Sequence, residues 1–248
     1  MLTRGRRLGI GGVRRGVRTP PAVTTDYVVA LRDAPSTITP VSLLIADRDY
    51  LTLVSGKASG WACAWGSGHN ASQSTAARRG TWTKATGTVD FSLAGTNWML
   101  MDYSTPVASG NFTFVIGLDI QSTAGGHQTL ANYQTGTVSL LPDRSDKYAF
   151  NDGALRDTGE ATTTGAQLLL FNLVTGGTAS VRKNSADIGT GMTYTQRALG
   201  GTVGLASIYT GGSNHLDANI TFYAVYAGAG VAADITAIEA VGTELLGL

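Results

Sequence analysis

The stretch Gly60 to Gln73, GWACAWGSGHNASQ, decides the fold. In its first half Trp61, Cys63 and Trp65 alternate with alanines. Because successive side chains of a strand point to opposite faces, we expect both indoles and the thiol on one buried face. The second half, residues 66–70, is turn sequence, since glycine and asparagine accept positive φ values. An aromatic strand that runs into a glycine-rich bend predicts an antiparallel β fold around a tryptophan core.

Composition supports one large β domain. The 248 residues include 33 glycines, and only 14% are charged, which is typical of short strands joined by tight turns. Cys63 is the single cysteine, so no intramolecular disulfide forms. The longest strongly apolar run, residues 168–174, is far shorter than the roughly 20 residues that a bilayer requires, so we expect no membrane span.

Residues 1–40 predict an extended basic arm. Six of the 18 basic residues precede the first acidic residue, Asp26, and they are Arg4, Arg6, Arg7, Arg14, Arg15 and Arg18. The segment also contains Pro20 and Pro21 and shows no sustained periodicity apart from residues 27–31. It is therefore either a solvated tail or a segment that a partner orders. Its length, its prolines and Tyr27 favour docking, and residues 41–248 then form the folded domain.

Strand and helix signals follow along the domain. Phe112, Phe114 and Ile116 begin an alternation that predicts a half-buried central strand over 111–120. Turn dipeptides predict hairpins at Asp152-Gly153 and Gly176-Gly177. Residues 89–92 and 98–101 are predicted to pair about a bend at 95–97. The spacing of Val231, Ile235, Ile238 and Leu245 predicts a C-terminal helix with one face on the sheets.

Several of these segments carry a resemblance to a known fold family. They are Asp49, LTLVSGKASGW ending at Trp61, SGHNASQSTAARR (67–79), VDFSLAGTNWMLM (89–101), GNFTFVIGLDI (110–120) and the closing strand and helix (216–248). In this order they resemble concanavalin A-like (laminin G-like) jelly-roll domains found in many bacteriophage structural proteins. The resemblance implies an antiparallel β-sandwich with one C-terminal helix. Two positions depart from the pattern, because Ala64 replaces a common acidic residue and no serine caps the helix near Ala232.

The carboxylates predict no glycosidase. Retaining hydrolysis needs two carboxyl groups about 5 Å apart. The chain has three glutamates, of which Glu239 and Glu244 lie on the predicted helix and Glu160 lies in a loop. A Ser-His-Asp triad stays open, although no GxSxG motif marks a nucleophile. We therefore expect no catalytic residues.

No metal or cofactor is expected either. The three histidines, His69, His127 and His215, lie beside glycine, asparagine or glutamine without zinc-ligand spacing, and we interpret them as turn residues. Candidates for calcium ligands are the strand-flanking aspartates Asp90, Asp102, Asp119 and Asp217, which belong to no dense Asp/Asn loop. Such aspartates usually cap turns.

Aromatic residues in loop-like sequence predict where a sugar ring would stack. The candidates for glycan contact are Tyr103, Tyr133, Tyr209 and His215. The alternative is that these tyrosines fill sheet edges and the loops only connect strands, which suits a fold that hosts many unrelated functions.

These observations predict a non-enzymatic bacteriophage virion protein. A surface-displayed lectin-like domain would be anchored to capsid or tail by Tyr27 and the six arginines, after synthesis in the host cytoplasm. The expected partners are other virion proteins, further copies in a homo-oligomer, and a host surface glycan. Nucleic acid is a weaker candidate, because no aromatic residues alternate with the arginines. The alternatives are a stand-alone carbohydrate-binding module and, less favoured, a glycoside hydrolase.

Overall fold

The computed structural model describes residues 25–248 apart from 93, 95, 125–126, 136–137 and 209–213. All six arginines of the predicted arm lie outside the described residues. The strands are β1 (Thr39–Ile45), β2 (Leu51–Val54), β3 (Lys57–Trp61), β4 (Ala71–Ser72), β5 (Thr81–Thr83), β6 (Thr88–Phe91), β7 (Met99–Gly110), β8 (Phe112–Ile120), β9 (His127–Gln128), β10 (Ala131–Thr135), β11 (Val138–Leu141), β12 (Asp143–Arg144), β13 (Lys147–Asp152), β14 (Leu155–Ala161), β15 (Gly165–Leu173), β16 (Ala179–Lys183), β17 (Ala186–Met192), β18 (Arg197–Leu205) and β19 (Ala218–Ala227). The helices are α1 (Thr25–Asp33) and α2 (Ala232–Leu246), with 3-10 turns at Arg48–Tyr50 and Ala76–Arg78. Among the described residues, no helix has the length and apolarity to cross a membrane.

The first sheet is antiparallel, with the strand order β1-β19-β8-β15-β16-β17. Strands β8 and β15 pair without a register shift from Phe112↔Leu173 to Ile120↔Gly165. Both hairpins that turn dipeptides predicted are confirmed, one joining β15 to β16 and the other joining β13 to β14.

The second sheet is also antiparallel and has the order β4-β7-β18-β10-β11-β13-β14. Four short strands, β2, β3, β5 and β6, connect the two sheets along one side. Strand β6 completes this connection by pairing with the start of β19, from Ala218↔Phe91 to Ile220↔Val89.

The inner faces of the two sheets form one continuous core. The first sheet contributes Phe112, Phe114 and Phe171, and the second contributes Leu140 and Phe150. All five side chains are fully buried. This is the concanavalin A-like jelly-roll sandwich with a C-terminal helix that the resemblance implied.

The prediction that the central strand is half-buried was wrong. Strand β8 is buried on both faces, because Val115 joins a second apolar cluster on the outer face of the first sheet. That cluster includes Leu170 and Phe222 from the sheet and Ile238 and Leu245 from α2. The C-terminal helix therefore packs one face on the sandwich, as its spacing predicted.

Two glycines let α2 approach the sheet closely. A Cβ atom on Gly117 would lie 2.5 Å from the Phe222 ring, and one on Gly242 would lie 2.8 Å from Leu168. Any larger side chain at these positions would overlap its neighbours, and overpacking a filled core is destabilising. The Phe222 ring thus occupies the space left by the two glycines.

The prediction of an extended arm through residue 40 was wrong for residues 25–40. Residues 25–33 form α1, which packs beside α2 on the outer face of the first sheet. Trp65 Nε1 donates to the Val28 carbonyl at 3.0 Å, and the Tyr226 hydroxyl donates to the Leu31 carbonyl at 2.7 Å. The hydroxyl of Tyr27, which was predicted to belong to a virion-anchoring arm, donates to Glu244 of α2 at 3.1 Å. Residues 25–40 are thus part of the folded body.

The stretch from residue 60 to 73 divides between the two apolar layers. Strand β3 ends at Trp61, whose Nε1 donates to the Ile45 carbonyl at 2.8 Å inside the sandwich. Beyond it the chain runs beside β1, where Ala64 N donates to the Leu43 carbonyl at 2.8 Å and so covers the edge of that strand. Trp65 then packs on Tyr226 in the outer cluster. The two indoles therefore do not share one face, because the strand ends between them.

The predicted pairing of residues 89–92 with 98–101 was also wrong. Strand β6 pairs with β5 and β19, whereas β7 pairs with β4 and β18. The two segments belong to different parts of the sandwich, because the chain crosses from one sheet to the other between them.

The start of α2 is held by a buried carboxylate. Val231 at the N-cap makes no capping hydrogen bond through its side chain. Asp234 in the first turn accepts hydrogen bonds from the Ser36 amide at 2.7 Å and from the Thr37 hydroxyl. Burial raises the pKa of Asp234, but the hydrogen bonds from Thr37 and Ser36 outweigh it and hold the pKa below its usual value. The ionised carboxylate thereby ties α2 to the segment between α1 and β1.

We predict that Asp234→Ala lowers the free energy of unfolding by about 1.5–3 kcal/mol at pH 7, because hydrogen bonds to a charged group are lost. Since the folded pKa is depressed, this contribution is present above the unfolded pKa and is lost as pH falls through the folded pKa. Urea unfolding at pH 7 and at about pH 3 measures both effects. The exposed Asp49→Ala is the control. An equal loss at both pH values, or one no larger than the control's, would contradict the assignment.

Candidate functional site

An open pocket of about 300 Å³ lies on the outer face of the second sheet. A row of polar side chains crosses three neighbouring strands here, because Asn132 of β10 faces Ser139 of β11 and Ser139 faces Asn151 of β13, and Ser139 and Asn151 line the pocket. On the far side of Asn132 lies Gly204 of β18, which faces it in register. The residues that line the pocket are His127, Thr129, Ser139, Leu141, Arg144, Asn151, Ile208 and Asn214.

Strand alternation places these polar groups outside. Their chain neighbours Tyr133, Leu140 and Phe150 point into the core, so Asn132, Ser139 and Asn151 point away from it. Within the row the Asn132 amide donates to the Ser139 hydroxyl. The Asn151 Oδ1 accepts a hydrogen bond from the Gly153 amide at 2.8 Å, which fixes its rotamer through the following turn.

Two connections form the walls of the pocket. On one side β9 and β12 make a two-stranded ribbon in which Arg144 faces His127. On the other side residues 207–208, just after β18, lie directly on the sheet, since a Cβ atom at Gly204 would meet the Ile208 carbonyl oxygen at 2.5 Å. Glycine at 204 therefore permits these residues to approach, and Ile208 and Asn214 line the pocket.

Thr129 supplies a polar atom at the base of the pocket. Its side chain is 1% exposed, and its hydroxyl has no hydrogen-bond partner among the described residues. A buried hydroxyl without a partner is costly, so such groups usually bind water or a ligand.

Two predicted glycan-contact residues lie in the core instead. Tyr103 and Tyr133 are each 0% exposed. The Tyr103 hydroxyl pairs with the Ser42 hydroxyl at 2.6 Å, and the Tyr133 hydroxyl pairs with that of Tyr223 at 2.6 Å. Burial raises the pKa of Tyr103 to about 12 and that of Tyr133 well above its usual value. Neither ring can stack on a sugar, because the surrounding strands cover both.

The remaining predicted contacts do not form a binding surface in the described part of the chain. His215 is buried, and burial together with the Arg78 charge lowers its pKa. Tyr209 lies outside the described residues. His69, interpreted as a turn residue, stacks on Tyr103 with ring centroids 3.9 Å apart. Of the three histidines, His127 is the one that lines the pocket.

Two of the candidate calcium ligands, Asp90 and Asp119, flank Asn219 on neighbouring strands, and the charge of a third, Asp217, acts on Asp90. Asp102 accepts from the Ser104 amide at 2.7 Å, which caps a turn and lowers its pKa. Burial and the Asp217 charge raise the pKa of Asp90, and Asp119 pairs in register with Asn219. Among the described residues, no three histidine, cysteine, aspartate or glutamate side chains are placed to hold a metal ion.

Sequence reasoning missed Asn132, Ser139, Asn151 and Arg144. The available signal was a polar side chain between apolar neighbours in each of three short strands, as in ANY, VSLL and AFND. Alternation of this kind shows which residues face outwards. It does not show that the three strands are adjacent in register.

No family model matches the chain, and its sequence matches no curated protein. Several solved structures match the chain in fold. Domain 4 of AbnA, a GH43 extracellular arabinanase from Geobacillus stearothermophilus in complex with arabinotriose, superposes with a TM-score of 0.61 at 13% identity, over 84% of this chain and 100% of that domain. The likeness is one of fold.

Two further structures agree. Trypanosoma rangeli sialidase in complex with sialic acid gives a TM-score of 0.59 at 12% identity, with 86% of this chain matching 36% of the enzyme. The botulinum neurotoxin serotype D ligand binding domain, in complex with N-acetylneuraminic acid, gives 0.54 at 12% identity, with 86% of this chain matching 52% of that chain. This chain therefore spans about a third of the sialidase and half of the toxin domain.

We predict that Gly204→Ala destabilises the protein by about 1–3 kcal/mol, because the new methyl group overlaps the backbone of the loop that carries Ile208. For a chain of this size each kcal/mol lowers the melting temperature by about 2–4 °C. Thermal unfolding measures the change. The matched control is Gly110→Ala, where the nearest atom to the new methyl lies 3.8 Å away. Equal melting temperatures for the two variants would contradict the close approach.

Proposed function

We propose that this chain is a carbohydrate-binding β-sandwich domain that holds an oligosaccharide in the pocket on its second sheet. The observation that carries the proposal is the row of polar side chains from Asn132 through Ser139 to Asn151, on a sheet whose other face is packed core, with Ser139 and Asn151 lining the pocket. Amide and hydroxyl groups both donate and accept hydrogen bonds, as sugar hydroxyls do. Leu141 and Ile208 add apolar surface for the carbon faces of a sugar.

The fold neighbours support this proposal. These three proteins were solved in complex with arabinotriose, sialic acid and N-acetylneuraminic acid, respectively. Those ligands belong to the neighbours, and a shared sandwich does not by itself transfer a function. The support is that three proteins containing a sandwich of this shape bind sugars, and that this chain has a polar pocket in which to bind one.

We propose further that the domain binds without catalysis. Each of its three glutamates is engaged away from the pocket. Glu239 forms an ion pair with Arg182 at 2.8 Å, Glu244 accepts from Tyr27, and Glu160 lies 3.4 Å from Lys183. These contacts do not place two glutamates together as retaining hydrolysis requires. This supports binding without catalysis.

Display on a bacteriophage particle is a proposal that rests on the sequence resemblance. One feature of the fold suits it, because α1 packs on the outer face of the first sheet while the pocket opens on the outer face of the second. The chain enters the domain at α1, so attachment through the residues before Thr25 would leave the pocket accessible. Assembly as a homo-oligomer likewise stays a prediction.

We predict that Ser139→Leu abolishes oligosaccharide binding, because a branched apolar side chain then fills the centre of the polar row. A glycan array identifies the ligand, and calorimetric titration measures the loss. The matched control is Ser180→Leu in β16 of the first sheet, which we expect to retain full affinity. Unchanged binding by Ser139→Leu would place any glycan site elsewhere, and absence of binding by the wild-type chain across the array would contradict the proposed function.

We predict that deleting residues 1–24 leaves the melting temperature unchanged, because residues 25–248 supply both helices and both sheets. The same deletion should prevent incorporation into phage particles, measured by mass spectrometry of purified particles against the full-length chain. Normal incorporation of the truncated chain would contradict the anchoring role, and absence of the full-length chain from particles would contradict the virion proposal.

A further inference from the structure

We propose that the pocket selects a sugar that carries a carboxylate, with Arg144 as the group that binds the acid. This inference rests on the proposed carbohydrate-binding function and narrows its ligand class. Arg144 lies on the wall of the pocket beside the row of polar side chains, so one ligand can contact both.

The ribbon formed by β9 and β12 holds the guanidinium in place. Arg144 pairs with His127 in register, and its side chain lies against the imidazole ring. A half-buried arginine on a two-stranded ribbon loses less rotamer freedom on binding than one on an open surface. The guanidinium is planar and presents parallel N–H donors, which matches the two oxygens of a carboxylate.

Arg144 also forms no ion pair with a carboxylate in the described part of the chain. Arginines 32, 156 and 182 are paired with carboxylates of the chain, whereas no carboxylate among the described residues forms an ion pair with Arg144. The lining of the pocket contains a guanidinium and an imidazole and no acidic side chain from the described part of the chain. The charge of an anionic ligand is therefore complementary to this wall.

The nearest acidic residue in sequence, Asp143, does not neutralise that charge within the pocket. It precedes Arg144 in β12, so its side chain points to the other face of the ribbon, where it is fully buried. One of its carboxylate oxygens accepts from the Asp146 amide at 3.1 Å. Burial, the largest influence, raises the pKa of Asp143 above its usual value.

Thr129 adds an independent observation. Its hydroxyl borders the same pocket, is buried, and has no partner among the described residues. A hydroxyl can donate to a carboxylate oxygen or to a ring hydroxyl, and either contact removes the cost of leaving it unpaired. Arg144 and Thr129 thus provide two donors on one side of the polar row.

The test compares acids with their methyl esters, which keep the sugar and remove the charge. Two probe pairs distinguish the sources of a sugar carboxylate: 3′-sialyllactose with its methyl ester, and trigalacturonic acid with its methyl ester. Calorimetric titration of the full chain should show that at least one acid binds more tightly than its ester, and that added salt weakens binding of the acid but not of the ester.

Arg144→Gln should weaken binding of that acid on the order of tenfold to a hundredfold and leave binding of the ester little changed. Arg144→Lys should fall between wild type and Arg144→Gln, because lysine keeps the charge without the planar fork. Lys84→Gln, which removes the same charge from an exposed turn between β5 and β6, should bind as wild type does.

Equal binding of acid and ester, with Arg144→Gln indistinguishable from Lys84→Gln, would overturn the acidic ligand while leaving a neutral carbohydrate-binding domain. Ser139→Leu separates the two proposals, since loss of neutral-sugar binding in that variant would keep the pocket as the site. If neither acids, esters nor any sugar of the array bound the wild-type chain, both proposals would fail.

Discussion

The apolar outer face of the first sheet is the constraint on which the rest of the structure depends. Val115, Leu170 and Phe222 point away from the sandwich, and each such side chain contributes roughly 1.5–3 kcal/mol when it is buried. Both helices lie where they do because they cover this face, and Trp65 leaves the sandwich core to pack there too. The outer face of the second sheet carries the polar side chains of Asn132, Ser139 and Asn151 instead, and the pocket lies on that face.

Alternation and helical spacing are local signals, and they predicted an antiparallel β fold and the C-terminal helix, whereas the sandwich was implied by the family resemblance. The sequence did not predict α1. The sequence TDYVVALRD is only nine residues long and rich in valine, and isolated helices of that length are marginal. Contacts from Trp65, Tyr226 and Glu244 order it, and those partners lie 37, 195 and 217 residues away along the chain. A helix of this kind is stabilised by tertiary packing, and the local periodicity of the sequence does not predict tertiary contacts.

The same limit explains the error over the tyrosines. A tyrosine is amphipathic, so flanking polar residues suggest an exposed ring, whereas a buried ring needs only one partner for its hydroxyl. Tyr133 finds that partner in Tyr223, 90 residues later, and Tyr103 finds it in Ser42 of another strand. The sequence did not predict the pocket for a related reason. Its polar row depends on the register of three strands, and register follows from pairing that no single strand specifies.

The close contacts that stabilise the fold and the proposed recognition site therefore lie on different faces of one sandwich. The helix-covered face carries the close contacts, such as Phe222 against Gly117, where an added methyl group has no space. The open face carries side chains that would exchange hydrogen bonds with water for hydrogen bonds with a ligand, a change that costs the fold little. The walls of the pocket come from connections, the β9–β12 ribbon and the loop at Ile208, rather than from the sheet. Under the proposed function, the register of the sheet sets the polar row and the connections set the charge, so substitutions at Arg144 or in that loop would alter which ligand is selected without altering the sandwich.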